Sequence, residues 1–132
     1  MEEDSNTKKM MIVDDDSFLL DMYSTKFKAS GYEVITALTP DICIEKIENG
    51  FNPDILIFDL IMPKMNGVEL FKFLKEKNLV NSSVNVVLTN QGKATDYDKV
   101  KDLGIDGYIV KALHTPSEVL QKIEEIYNKK QQ

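Results

Sequence analysis

Short apolar runs alternate with amphipathic stretches along the whole chain. Runs typical of β-strands cover residues 9–13, 32–37, 54–58, 84–88 and 107–110. Stretches in which apolar residues recur at helical spacing follow them at 17–30, 40–49, 68–77, about 95–103 and 116–127. Five strands that each lead into a helix predict an α/β fold: a doubly wound parallel sheet with helices on both faces.

The third strand supports the parallel arrangement. Its run Ile55–Phe58 is apolar without alternation, as expected of a strand that is covered on both faces. The last helix has the clearest start, because Thr115 supplies an N-cap and Glu118 completes a capping box. We predict a flexible lead over residues 1–8, one domain over 9–128, and a polar tail over 129–132.

Polar chemistry collects where the predicted strands end. Asp14, Asp15 and Asp16 follow the first strand, Asp59 the third, Thr89 the fourth and Lys111 the fifth. Ligands of doubly wound folds bind outside the carboxyl ends of the strands, so these side chains should share one site. Gathered carboxylates repel one another unless a hard cation joins them, and Mg²⁺ favours carboxylate and phosphate oxygens. The pattern indicates magnesium-dependent phosphoryl chemistry.

Composition narrows the function. A chain of 132 residues with 42% hydrophobic residues is sufficient for one core, and we expect no output domain within it. The net charge of −6 has the wrong sign for binding nucleic acid through phosphate contacts. The lone Cys43 cannot form an internal disulfide, and no apolar run is long enough to span a membrane. We expect a cytoplasmic protein that associates with neither nucleic acid nor membrane.

At this point the chain resembles a response-regulator receiver domain of bacterial two-component signalling. The resemblance covers about residues 9–127, and the spacings from Asp59 to Thr89 and from Thr89 to Lys111 also match that family. Four segments carry it: Met11–Asp16, Asp59–Gly67, Leu88–Thr89 and Leu103–Lys111. It implies a flavodoxin-like (βα)5 fold whose parallel strands lie in the order 2-1-3-4-5.

The resemblance also implies a site. Asp59 corresponds to the phospho-acceptor, which forms an acyl phosphate. Asp14, Asp15 and Asp59, with the backbone carbonyl of Ile61, correspond to the ligands of Mg²⁺, for which Mn²⁺ can substitute. We interpret Asp16 instead as the residue that starts the following helix, where its charge suits the helix dipole.

Three further residues correspond to the phosphoryl contacts and the switch: Thr89, Lys111 and Tyr108. An ammonium and a hydroxyl can each donate to a phosphoryl oxygen. In the family, movement of the threonine is coupled to the aromatic residue of the fifth strand, which changes the face formed by the fourth helix, fifth strand and fifth helix. The implied partners are a sensor histidine kinase or phosphotransfer protein and an unknown downstream protein. A monomer, or a weak dimer that depends on phosphorylation, is expected.

The sequence departs from the family at two positions. Ala112 follows Lys111 where the family usually has a proline with a cis peptide bond. Because a cis bond before a non-proline residue costs about 3 to 4 kcal/mol, we expect a trans bond here. Asn90 stands where a small residue usually follows the threonine, and it could narrow the access to Asp59.

Other functions stay open at this level. The departures allow a degenerate receiver that binds a partner without being phosphorylated. Asp14 to Asp16 also superficially fits the Asp-x-Asp motif of a small magnesium-dependent phosphatase of the haloacid dehalogenase type. Against this enzyme, Phe18 replaces the usual Thr or Val and no acidic pair follows Lys111. We therefore expect a switch that catalyses only its own phosphorylation and dephosphorylation.

Overall fold

The computed structural model describes residues 7–90 and 94–132. Strands and helices alternate along the chain, with a short 3₁₀ turn at Lys111–Leu113. The strands are β1 Lys9–Val13, β2 Glu33–Ala37, β3 Ile55–Phe58, β4 Val84–Thr89 and β5 Gly107–Val110. The helices are α1 Ser17–Ala29, α2 Pro40–Glu48, α3 Gly67–Glu76, α4 Ala94–Asp102 and α5 Pro116–Gln131.

The five strands form one parallel sheet in the order β2-β1-β3-β4-β5. This is the predicted flavodoxin-like order, and it places β1 and β3 side by side at the centre of the sheet. Every residue of β3 and of β4 is buried, because helices cover both faces. The predicted parallel sheet is confirmed.

The two faces of the sheet support separate hydrophobic cores. On one face α1 and α5 pack against Met10, Ile12 and their neighbours in the other strands. On the other face α2, α3 and α4 cover Met11, Val13 and Phe58, whose ring stacks on Phe71 at 5.3 Å between centroids. Residues of one strand alternate between the two cores because successive side chains point to opposite faces.

The last helix is longer than predicted. The polar tail was expected to follow a helix ending near Tyr127, but α5 continues to Gln131. A tertiary contact explains the extra turn: the Lys130 ammonium lies 3.1 Å from the Asp106 carboxylate and donates to the Ser83 carbonyl at 3.3 Å. The domain limits of 9–128 stay a prediction, and residues 1–6 of the predicted lead lie outside the described residues.

Two smaller observations concern the rest of the backbone. Within the ranges 7–90 and 94–132 there is no cis peptide bond, so the predicted trans bond between Lys111 and Ala112 is confirmed. No helix in this part of the chain is long and apolar enough to cross a membrane.

The loop after β3 packs closely against the backbone of Gly67. A Cβ at this position would lie 2.2 Å from the Asp59 carbonyl oxygen and 2.8 Å from the Leu60 Cα. Backbone cannot yield as a flexible side chain can, so we expect Gly67→Ala to lower the free energy of unfolding by about 2 to 3 kcal/mol. Urea denaturation measures this loss.

The control is Gly50→Ala. Gly50 has a φ of +111° with nothing within 4 Å of its missing Cβ, so this variant isolates backbone strain and should lose about 1 kcal/mol. Equal losses in the two variants would contradict the close approach at Gly67.

Candidate functional site

The centre of the sheet brings two aspartates together. Val13 and Phe58 are register partners in β1 and β3, so the next residues, Asp14 and Asp59, leave the sheet side by side. The ladder extends one step further, because the Asp59 amide donates to the Val13 carbonyl at 3.1 Å. Both aspartates are buried, with 3% and 7% of their surface exposed. Two like charges are therefore held next to each other away from water.

Lys111 joins the two aspartates from the edge of the sheet. It is the first residue after β5, and its side chain extends past the end of β4. Its ammonium donates to Asp14 Oδ2 at 2.5 Å and to Asp59 Oδ2 at 2.8 Å, and only 7% of the residue is exposed. One buried cation is thus shared between two buried carboxylates.

Backbone amides bind the remaining oxygens. Asp14 Oδ1 accepts from the Asp16 amide at 3.0 Å, and Asp59 Oδ1 accepts from the Ile61 amide at 3.2 Å. Each carboxylate therefore has one oxygen on the ammonium and the other on the chain two residues ahead. This fixes the orientation of both groups before any ligand arrives.

Burial and pairing act against each other at these groups. Burial raises the pKa of Asp14, and the hydrogen bonds from Lys111 and from the Asp16 amide offset only part of that effect. Burial alone would lower the pKa of Lys111, but its hydrogen bonds and its attraction to Asp14 and Asp59 together outweigh burial and raise it. The ammonium is therefore held in its charged form.

Three carboxylates can offer oxygens to one metal ion. Atoms of Asp14, Asp15 and Asp59 lie within 4.8 Å of one another, and Asp15 is exposed while the other two are buried. Carboxylate oxygens are the donors that Mg²⁺ takes, with water filling its other positions. The donor set fits the predicted cation. The Ile61 residue lines the same pocket, and the role of its carbonyl as a further ligand stays a prediction.

Thr89 ends β4 between the aspartates and Lys111. The residue is fully buried, and its Oγ1 finds no hydrogen-bond partner in the part of the chain that the structure describes. A buried hydroxyl without a partner costs free energy, and an acceptor that binds in the pocket would remove this cost. A phosphoryl oxygen is such an acceptor.

The predicted site residues line one small pocket of about 230 Å³, with the exception of Tyr108. Asp16, predicted at the same edge of the sheet as the start of the helix, also lines the pocket, and Leu19 is a lining residue that was not predicted. The Asp16 side chain accepts from the Leu19 amide at 3.2 Å, which confirms its interpretation as the start of α1. Asn90 is exposed at the pocket wall, and its narrowing of the access to Asp59 stays a prediction.

Tyr108 lies outside the pocket. It is half-buried on β5, and its ring meets the ring of Tyr97 on α4 edge to face. The sequence pattern gave no sign of Tyr97, because α4 is mostly polar and a contact between a helix and a strand depends on the tertiary fold.

Comparisons with known proteins agree on one family. A family model described as a response regulator receiver domain matches residues 10–124. The alkaline phosphatase synthesis transcriptional regulatory protein PhoP of Bacillus subtilis is 31% identical over 121 residues, which is 90% of this chain and 48% of PhoP. The polar-differentiation response regulator DivK of Brucella ovis is 26% identical over 110 residues, 83% of this chain and 89% of DivK. The chain thus spans about half of PhoP and most of DivK.

Solved structures give the same result. A CheY-like receiver domain protein from Methanospirillum hungatei JF-1 superposes with a TM-score of 0.85 and 31% identity, covering 95% of this chain and 97% of that one. The chemotaxis protein CheY4 of Vibrio cholerae superposes with a TM-score of 0.83 and 26% identity, covering 91% and 98%. Both similarities extend over nearly the whole of each chain.

Removal of the shared cation should be costly. Lys111→Met leaves Asp14 and Asp59 buried without their cation, so we expect a loss of about 3 kcal/mol in the free energy of unfolding at neutral pH without Mg²⁺. The matched control Lys72→Met removes an exposed lysine of α3 and should change stability by less than about 0.5 kcal/mol.

The same variant has a predictable pH dependence. Because burial already raises the pKa of Asp14, loss of the ammonium raises it further. A carboxyl whose pKa is raised by folding destabilises the fold fully above the folded pKa and not at all below the unfolded one. The deficit of Lys111→Met should therefore shrink as the pH falls toward 4, as urea titrations at several pH values would show. A deficit that grows on acidification would contradict this account.

The unpartnered hydroxyl gives a prediction of the opposite sign. Thr89→Val replaces it with a methyl group of similar shape, so we expect the free energy of unfolding without ligand to rise by about 1 kcal/mol. The control is Thr36→Val in β2, where the residue is half-buried and the change should stay within about 0.5 kcal/mol. A clear loss of stability in Thr89→Val would mean that the hydroxyl has a partner in solution.

Proposed function

The chain belongs to the response regulator receiver domains of two-component signalling, and from this membership we propose that it accepts a phosphoryl group on Asp59 and switches its affinity for a partner protein. The donor is a sensor histidine kinase or a phosphotransfer protein, and we place the exchange in the cytoplasm. One observation carries the proposal. Asp59 is a buried carboxylate with a cation 2.8 Å away and two further carboxylates within reach of the same metal ion.

The chain supplies a nucleophile and its surroundings. One Asp59 oxygen forms a bond to phosphorus while the bond from phosphorus to the histidine nitrogen of the donor breaks, and its electron pair stays on that nitrogen. The two backbone-anchored oxygens of Asp14 and Asp59 fix the carboxylates before the donor arrives, so little reorganisation is needed.

Two side chains, Lys111 and Thr89, stabilise the negative charge on the transferred phosphoryl group. Lys111 exchanges its contact with Asp59 Oδ2 for a phosphoryl oxygen while it keeps Asp14, and Thr89 donates its free hydroxyl to another oxygen. The site would add the charge neutralisation that a held Mg²⁺, or Mn²⁺ in its place, supplies to these oxygens. Asp14, Asp15 and Asp59 would hold the ion, together with the Ile61 carbonyl.

The switch follows from the new contacts. A phosphoryl group brings negative charge and strong acceptors next to Thr89, so the end of β4 is drawn toward Asp59. Tyr108 lies on the neighbouring strand, and its movement would alter the face formed by α4, β5 and α5. Phosphorylation then shifts the protein between two populations that differ in affinity for the downstream partner. The protein acts as a monomer or as a weak dimer that forms on phosphorylation.

Neither the family model nor the relatives reported above indicate an enzyme family, so the phosphatase alternative has no support. We propose that the protein catalyses only its own phosphorylation and dephosphorylation. The degenerate receiver is the second candidate, because Asn90 is exposed at the pocket wall where a small residue is usual. A protein of this kind would bind its partner regardless of Asp59 and Mg²⁺.

Phosphorylation can be tested without the kinase. After incubation with acetyl phosphate and Mg²⁺, the intact mass should increase by one phosphoryl group, because the pocket positions Asp59 for small donors as well. Asp59→Asn and addition of a chelator should each abolish the increase. The mass is recorded promptly, before the acyl phosphate hydrolyses.

The matched control is Asp16→Asn. It changes another aspartate of the acidic run but keeps a good N-cap for α1, so uptake should equal that of the unaltered chain. Uptake that survives in Asp59→Asn would place the acceptor elsewhere. Failure to take up phosphate and to bind beryllofluoride with Mg²⁺ would favour the degenerate receiver.

A further inference from the structure

An aromatic pair connects the fourth helix to the fifth strand. The rings of Tyr97 on α4 and Tyr108 on β5 lie 5.0 Å apart between centroids, at an interplanar angle of 83°. This edge-to-face arrangement is one that aromatic rings favour, because the positive edge of one ring meets the negative face of the other. The Lys101 ammonium lies 6.0 Å from the centroid of the Tyr97 ring. The contact is therefore specific as well as apolar.

Tyr108 lies on the face of the sheet that leads to the site. Register partners in β4 and β5 are Val87 with Tyr108 and Thr89 with Val110. Because side chains of register partners point to the same face, Tyr108 follows the face of β4 that carries Val87 and Thr89. Burial raises the pKa of Tyr108, and the charges of Asp96 and Asp59 raise it further.

Helix α4 has few other attachments. Among its residues 95–102 only Val100 is buried, and Tyr97 is 39% exposed. By comparison, α5 buries Val119, Leu120 and Ile123. Since apolar burial is what holds a helix on a sheet, the contact between Tyr97 and Tyr108 adds to the burial of Val100 in keeping α4 in place.

We propose that Tyr97 is a positioning residue that holds the Tyr108 ring in the resting state, and that phosphorylation breaks this contact and loosens α4. The inference rests on the proposed function, since it names the contact that sets the balance between the two states. A contact made only in the resting state lowers the population of the switched state. A ligand that binds the switched state therefore has a lower apparent affinity.

Loss of this contact should increase the affinity for the ligand, whereas most substitutions decrease it. Tyr97→Ala removes a contact of the resting state alone, so beryllofluoride with Mg²⁺ should bind roughly two- to tenfold more tightly than to the unaltered chain. Damage to the fold would leave binding unchanged or weaken it. Tyr97→Phe keeps the ring and should retain the original midpoint.

Two measurements on the full chain test this. The midpoint of a beryllofluoride titration follows from the ¹⁹F signal of the bound ligand. Amide hydrogen exchange over residues 94–102 reports how firmly α4 is held. In the unaltered chain the ligand should accelerate exchange in α4, whereas Tyr97→Ala should show the faster exchange before any ligand is added.

The control removes another tyrosine. Tyr127 is half-buried on α5 and packs against the core on the opposite face of the sheet, so Tyr127→Ala should leave the midpoint unchanged. An unchanged or weaker midpoint in Tyr97→Ala, or a Tyr97→Phe variant that behaves like Tyr97→Ala, would overturn the proposal. Failure of the unaltered chain to bind beryllofluoride would count against the proposed function instead, and the exchange measured without ligand would still decide whether Tyr97 holds α4.

Discussion

The bridge from the Lys111 ammonium to Asp14 and Asp59 is the interaction on which the structure of the site depends. Two carboxylates buried side by side would be strongly unfavourable without a cation, and this cation comes from the opposite half of the sheet. The strand order makes the bridge possible, because β1 and β3 are neighbours and only β4 separates β3 from β5. The ends of β1, β3 and β5 are therefore tied through three side chains, with the end of β4 beneath them.

This arrangement is incomplete as a purely structural one. Among the described residues, Lys111 alone bridges the buried carboxylates of Asp14 and Asp59, and Asp15 adds a third carboxylate nearby. The buried Thr89 hydroxyl has no partner among those residues either. Natural interiors rarely retain such groups unless they serve a purpose. A bound metal ion would balance the excess negative charge, and a phosphoryl group would supply an acceptor for the Thr89 hydroxyl. Under the proposed function, the stability that the resting protein forgoes would be recovered when these ligands bind, and this recovery would drive the switch.

The sequence predicted the sheet and most of the site because both depend on local signals. Strand-length apolar runs and the polar residues that follow them predict that Asp14, Asp59, Thr89 and Lys111 lie at one edge of the sheet. What it could not predict depends on contacts between distant segments. Lys130 extends α5 because Asp106 lies beside it in space, and Gly67 is confined by the backbone of Asp59. The pairing of Tyr97 with Tyr108 belongs to the same class.

The difference between α4 and α5 bears on where a signal leaves the molecule. A change at Thr89 reaches every element that contacts β4 and β5, but an element moves only if its attachment is weaker than the force applied. With Val100 as its one buried residue among 95–102, α4 is held less firmly than α5, which is fixed by an apolar stripe and by Lys130. Regions of low local stability are where conformational change is least costly. The polar composition of α4, which gives a weak helix pattern in the sequence, thus makes it the element that would yield most easily under the proposed phosphorylation.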